Sequence, residues 1–165
     1  MKKSVYLSLG SNLGDRQANL RTAIGKLMNL GDVMTVSSIY VTEPIGLREQ
    51  PWFLNCVVLM QTERLPRLFL KYILGIEQEM GRKRLQPKGP RIIDIDILLF
   101  GNATIETPEL TVPHPAMHER RFVLAPLAEI APEVRHPVMK RAARELLEAL
   151  PREGDRVKKW CPRAR

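Results

Sequence analysis

Apolar positions recur along this chain with two different periods, and the switches between them mark out its elements. SVYLSLG, residues 4–10, is an apolar run that ends in the turn-forming GSNLG, as a buried strand does. Asp15 is placed to cap a following helix, in which Leu20, Ile24, Leu27 and Met28 recur at helical spacing up to Gly31, a residue suited to the position just past a helix end. Residues 33–42, VMTVSSIYVT, are β-branched and predict a strand that stops at Glu43-Pro44. EPIGLREQP, with two prolines and a glycine, is a loop. Phe53 to Met60 then reads as another strand, and Pro66, favourable in a first helical turn, opens a second helix that runs to about Met80. A basic loop and the strand IIDIDILLF follow.

That order, β-α-β-β-α-β, predicts an α+β fold of ferredoxin-like arrangement, an antiparallel sheet covered on one face by two helices. After Gly101 the pattern changes. A short hairpin near Ala103 to Thr107, the proline-punctuated LTVPHPAMHERRFVLAPLAEIAP and a helix at about 140–150 form a C-terminal extension packed on the same domain. At 165 residues the chain makes one domain, with its core at about 4–137. REGDRVKKWCPRAR, residues 152–165, lacks apolar periodicity and is expected to fray as a mobile tail.

Composition narrows the class. An apolar share of 44% and a charged share of 27% describe an ordinary globular protein. Neither a leader nor a run near membrane-span length is present, so the cytoplasm is the expected location and no membrane partner is expected. Cys56, in an apolar run, and Cys161, in the tail, form neither a disulfide framework nor a metal-ligand spacing. The net charge of +8 points to an anionic partner: nucleic acid, a membrane surface or a phosphorylated small molecule.

The chemistry concentrates in GRKRLQPKGPRIIDIDILLFG, residues 81–101. Asp94 and Asp96, at i and i+2 of a strand, project from one face about 6.5–7 Å apart, while Ile93, Ile95 and Ile97 point the other way. Two carboxylates on an apolar strand are expensive unless a divalent cation offsets them. Arg82, Lys83, Arg84, Lys88 and Arg91 just upstream supply counter-charge for a polyphosphate, so a magnesium nucleotide is the expected ligand. A wet strand face beside a solvated loop is the competing explanation; against it, the Asp face is read as continuing into Leu98 and Phe100. Phe53 and Asn55 share a strand face and suit a flat heteroaromatic ligand, although a core phenylalanine with a turn-satisfying asparagine explains these two alone better. His114, between two prolines and near Arg120 and Arg121, fits phosphate hydrogen bonding or a structural role equally, and His118 fits the structural one. Gly10 to Gly14 lacks the spacing of a nucleotide-binding glycine loop and reads as a turn before a capped helix.

SLGSNLGDR, EPIG followed by QPWFLNCVV, GRKR with KGPRIIDIDILLFG, and VPHPAMHERRFVLAPLAEIAP together resemble the 6-hydroxymethyl-7,8-dihydropterin pyrophosphokinase family of folate biosynthesis, over about residues 4–137. The resemblance implies two Mg²⁺ ions and transfer of the β,γ-pyrophosphoryl group of ATP to the hydroxymethyl oxygen of the pterin, with AMP released. It implies Asp94 and Asp96 as the magnesium ligands, and Arg82 and Arg91 as catalytic-loop arginines that reach the triphosphate. Glu77, Arg84, Ile97, Thr111, His114 and Arg120 are expected around the nucleotide. Phe53 and Phe122 are expected to sandwich the pterin, with Asn55 and the backbone at Thr42, Glu43 and Ile45 reading its edge. Three positions depart from the family pattern: Lys88 stands where many members carry an aromatic, Leu74 where some carry a polar residue, and Phe53 lacks a hydroxyl that some carry. The expected partners are therefore ATP and the pterin, with no nucleic acid and a monomeric protein. An RNA-binding module of the same strand order is the competing class, but aromatic residues are only 5% of the chain and show no clustered RNA-binding pattern. A non-catalytic pterin or nucleotide binder is the second alternative.

Overall fold

The computed structural model describes residues 1–44, 49–81, 89–151 and 156–160. Its elements follow the order β1 (Lys3–Ser11), α1 (Arg16–Leu27), β2 (Asp32–Val36), β3 (Tyr40–Thr42), β4 (Phe53–Thr62), α2 (Pro66–Glu79) and β5 (Asp94–Phe100). The extension adds β6 (Ile105–Glu106), β7 (Thr111–Val112), a 3-10 turn at Met117–Glu119, α3 (Arg121–Ile130), α4 (Ala143–Glu148) and β8 (Val157–Lys159). The main sheet has the order β5-β1-β4-β3-β8, with β2 also on β4, and every pairing is antiparallel. This is the expected ferredoxin-like α+β arrangement, with the two inner strands β1 and β4 paired along nine positions from Lys3↔Thr62 to Ser11↔Leu54.

One face of the sheet packs on α1 and α2. Leu20, Ala23 and Leu27 from α1 and Phe69, Ile73 and Ile76 from α2 meet Leu7, Leu9, Cys56, Val58, Ile95 and Ile97 in a continuous core. Asp15 caps α1 as expected, accepting from the Ala18 amide at 3.1 Å. The other end differs: α1 stops at Leu27, and Gly31 is not among the left-handed glycines. Gly31 instead allows a close approach, because a Cβ there would lie 2.2 Å from the Gln61 carbonyl oxygen. The strand expected at 33–42 is two strands. Ser37 separates them, its hydroxyl accepting from the Val57 amide at 2.8 Å and donating to the Ser38 carbonyl at 2.8 Å.

The extension, expected to pack on the domain, covers half of the second face. Val123, Leu124 and Leu127 of α3 and Ala143 and Leu146 of α4 pack on Val57, Leu98 and Leu99. Residues 121–130 form a helix that the proline-punctuated sequence does not predict, with Pro126 inside α3. Apolar spacing at Val123, Leu124 and Leu127 was the available signal. The β1–β5 register shifts by one residue beside Tyr6 and Leu7, a bulge that sends both Leu98 and Leu99 to this second face. Phe100 consequently returns to the first core, edge-on to Phe69 at 5.8 Å, and not to the Asp face where it was expected. Within the expected tail, β8 pairs with β3 from Tyr40↔Lys159 to Thr42↔Val157, and Trp160 packs against the first core.

Candidate active site

Directly paired residues of an antiparallel sheet point to the same face. Asp94 pairs with Gly10, and Gly10 with Asn55; Asp96 pairs with Ser8, and Ser8 with Val57 of the second core. Asn55 also pairs with Tyr40, and Phe53 with Thr42. The second face thus has two parts: an apolar half under α3 and α4, and a polar half on which Thr42, Phe53, Asn55, Asp94 and Asp96 stand together. The two carboxylates do share a face, opposite the buried Ile95 and Ile97, as their spacing predicts.

Arg91 joins the two ends of this polar floor. Its Nη1 lies 3.0 Å from Asp94 Oδ2, its guanidinium sits 5.4 Å from the centroid of the Phe53 ring, and its Nε donates to the Gly89 carbonyl at 3.0 Å. The backbone of Arg91 is anchored by Asn12, whose Oδ1 accepts from the Arg91 amide at 2.8 Å. Asn12 was absent from the expected site, because its partners lie 38, 39 and 79 residues away. Across the sheet, Asn55 Nδ2 donates to Thr42 Oγ1 at 2.5 Å, and both side chains are buried. Gly10 leaves room for this arrangement: a Cβ there would lie 2.5 Å from Asn55 Oδ1. The Glu43 amide donates to the Arg156 carbonyl at 3.1 Å.

His114 approaches β5 from the far side, its amide donating to the Leu98 carbonyl at 3.0 Å. Its Nδ1 accepts from the Ala116 amide at 3.1 Å, which leaves Nε2 as the protonated nitrogen of a neutral ring. Burial first, then the Arg120 charge, pulls the His114 pKa down to about 4, with Asp94 opposing. His114, Thr111, His118 and His136 line a cavity of about 640 Å³ beside the β6–β7 hairpin. Arg120 lies 5.6 Å from the Phe122 ring, at the start of α3. Glu77 is 4% exposed on α2, and its carboxylate accepts from the Ile95 amide at 2.8 Å, fixing the outer strand to the helix. Ile97 is 5% exposed within the first core. Arg82, Arg84, Ile45 and Lys88 fall outside the described residues. Among the described residues no cluster of three or more His, Cys, Asp or Glu side chains is arranged to hold a metal ion, and no helix is long and apolar enough to cross a membrane.

The family model described as 7,8-dihydro-6-hydroxymethylpterin-pyrophosphokinase (HPPK) matches residues 6–132. The chain belongs to this HPPK family. A Bacillus subtilis protein named 2-amino-4-hydroxy-6-hydroxymethyldihydropteridine pyrophosphokinase is 48% identical over 136 residues, covering 81% of this chain and 81% of the relative. A Pseudomonas aeruginosa protein of the same name is 41% identical over 156 residues, covering 93% and 96%. The Schizosaccharomyces pombe "Folic acid synthesis protein fol1" is 41% identical over 94% of this chain, but this chain spans only 21% of that relative. Among solved structures, HPPK-DHPS in complex with substrates matches with a TM-score of 0.75 at 19% identity, over 90% of this chain and 43% of that one, a likeness of fold. The HPPK family match ends at residue 132, so α4 and β8 lie beyond it.

Proposed function

We propose that the protein transfers the pyrophosphoryl group of ATP to the hydroxymethyl oxygen of 6-hydroxymethyl-7,8-dihydropterin, releasing AMP, a step of tetrahydrofolate biosynthesis. The observation that carries this reading is the polar half-face, where Asp94 and Asp96 stand beside Phe53, Asn55 and Thr42 with Arg91 between them.

Asp94 and Asp96 fit Mg²⁺, and two ions are proposed. Mg²⁺ is commonly held by one or two carboxylates, with phosphate oxygens and water completing its shell, so two aspartates facing a nucleotide suffice. Asp94 and Asp96 would hold the ions, which when bound would supply neutralisation of the phosphate charge and of the charge developing on the AMP oxygen. The residues do the positioning. Arg91, which lies 3.0 Å from Asp94, would bind and orient the polyphosphate. His114, neutral, donates its Nε2–H to a phosphate oxygen, and Arg120 adds a cation there. Thr111 completes the nucleotide side; Ile97, whose side chain lies in the first core on the opposite face, can offer it only backbone, and Glu77 acts through the β5 backbone it holds.

Phe53 and Phe122 stack on the pterin. Asn55, with one Nδ2–H bonded to Thr42, offers Oδ1 and the second N–H to the ring edge. The Glu43 amide is committed to Arg156, so Glu43 contributes its carbonyl. Arg82 and Arg84 at the triphosphate and Ile45 at the pterin edge rest on resemblance alone. No side chain is assigned as a general base, and most of the barrier reduction comes from holding the hydroxyl in line with the phosphorus. The acting unit is proposed to be a monomer. The cytoplasm, where ATP is available, is the proposed compartment.

Asp96→Ala tests the assignment. It is expected to abolish AMP formation while the pterin still binds, read by quenching of pterin fluorescence. Undiminished turnover would show that the reaction does not need Asp96, and failure of the variant to fold would make it a structural carboxylate.

A further inference from the structure

Every donor and acceptor of the Asn12 side chain is bonded, and no catalytic role accounts for it. It is 1% exposed, at the start of the turn that follows β1. An asparagine amide has two N–H donors and a carbonyl acceptor. Here Nδ2 donates to Gln50 Oε1 at 2.8 Å and to the Pro51 carbonyl at 3.0 Å, while Oδ1 accepts from the Arg91 amide at 2.8 Å. The backbone amide of Asn12 also donates to the Arg91 carbonyl at 3.1 Å. The Pro51 carbonyl can only accept and the Arg91 amide can only donate, so the orientation of the side chain is fixed by its partners.

These bonds join three stretches of chain: the end of β1, the segment entering β4 just before Phe53, and the segment entering β5 just before Asp94. The first of these partners precedes the aromatic-amide end of the polar floor, and the second precedes its carboxylate end. Arg91 spans both, 3.0 Å from Asp94 and 5.4 Å from the Phe53 ring centroid. Without the anchor, the backbone that aims the guanidinium loses its side-chain acceptor, and the Gln50–Pro51 segment loses its link to it.

We propose that Asn12 is a positioning residue for pyrophosphoryl transfer: its amide locks the entry to β4 against the entry to β5, so that Arg91 is held between the pterin end and the phosphate end of the site. The proposal rests on the pyrophosphokinase reading of that site. Other side chains of similar size cannot substitute fully. Aspartate keeps an acceptor for the Arg91 amide but, when ionised, meets the Pro51 carbonyl with a second acceptor; alanine loses all three side-chain bonds.

The test compares Asn12→Ala and Asn12→Asp with the parent protein, measuring kcat, KM for ATP and KM for the pterin on material shown to be folded by cooperative thermal unfolding. For Asn12→Ala, kcat is expected to fall by about 10²-fold, with both KM values changing much less, since misplacement of a positioned group acts chiefly on the reaction step. Asn12→Asp is expected to fall between the two. Hydrogen exchange at the Arg91 amide reads the anchor with no turnover at all, and should be fastest in Asn12→Ala. Folded variants with the parent's kcat, or equal Arg91 exchange in parent and Asn12→Ala, would overturn the proposal. So would collapse of both variants, which assigns Asn12 to folding alone. A parent protein that makes no AMP would defeat the assigned reaction, and the exchange measurement would still decide the anchor.

Discussion

His114 is held neutral by its surroundings, and the consequence can be measured. Burial and the Arg120 charge keep its pKa at about 4, against an ordinary 6.5 in the unfolded chain. The unfolded chain therefore takes up a proton at His114 before the folded protein does. Its contribution leaves stability unchanged above about pH 6.5 and removes stability as the pH falls from 6.5 toward 4. Thermal unfolding of His114→Gln should show a midpoint that falls less steeply than the parent's across that window; parallel curves would contradict it. Gly10 gives a second prediction. A Cβ there would meet Asn55 Oδ1 at 2.5 Å and Phe53 Cδ1 at 3.3 Å, so Gly10→Ala must displace the Asn55 amide from Thr42. The pterin KM is expected to rise about tenfold, the worth of one hydrogen bond, with the ATP KM unchanged. An equal rise in both would mean that the disturbance spreads beyond the pterin end. Such residues differ in how legible they were. Asp94 and Asp96, or Phe53 and Asn55, declare themselves because two-residue spacing fixes a shared strand face. Asn12 does not, because its bonds close only when distant segments meet.

At the level of elements, local periodicity located β1, α1, β4, α2 and β5, while the extension was harder to read. Prolines concealed α3, although its apolar positions were in helical register. β8 was concealed by its shortness and its lysines: a three-residue edge strand is defined by the backbone of its neighbour, here β3, more than by its own side chains. The bulge in β5 was likewise invisible, and it separates Phe100 from the Asp face. β8 has a structural consequence. Trp160, just beyond it, packs on the first core and lies 5.5 Å from the guanidinium of Arg16, which donates to the Trp52 carbonyl at 2.8 Å. Trp160→Ala is expected to lower unfolding free energy by about 2 kcal/mol, below the range for a fully buried tryptophan because this one is half-buried. Urea denaturation reads this directly, and an unchanged midpoint would return the segment to the role of a frayed end.

Across the whole molecule, the sheet divides its labour by face. One face is closed by α1 and α2, and the other is closed only in part by α3 and α4, which leaves a polar floor on strands packed from behind. The ferredoxin-like order could be predicted because each of its elements is marked locally. The partial cover of the second face could not, since it depends on how a proline-rich extension folds back. The net charge of +8 fits a polyanionic substrate at this scale, with Arg91 and Arg120 among its contributors near the floor. The central claim is that a pyrophosphoryl group moves as one unit. Phosphorus NMR of the protein with ATP, Mg²⁺ and 6-hydroxymethyl-7,8-dihydropterin tests it most directly. AMP and a pterin diphosphate should appear together in equal amounts; appearance of ADP, or ATP left unconsumed, would contradict the account.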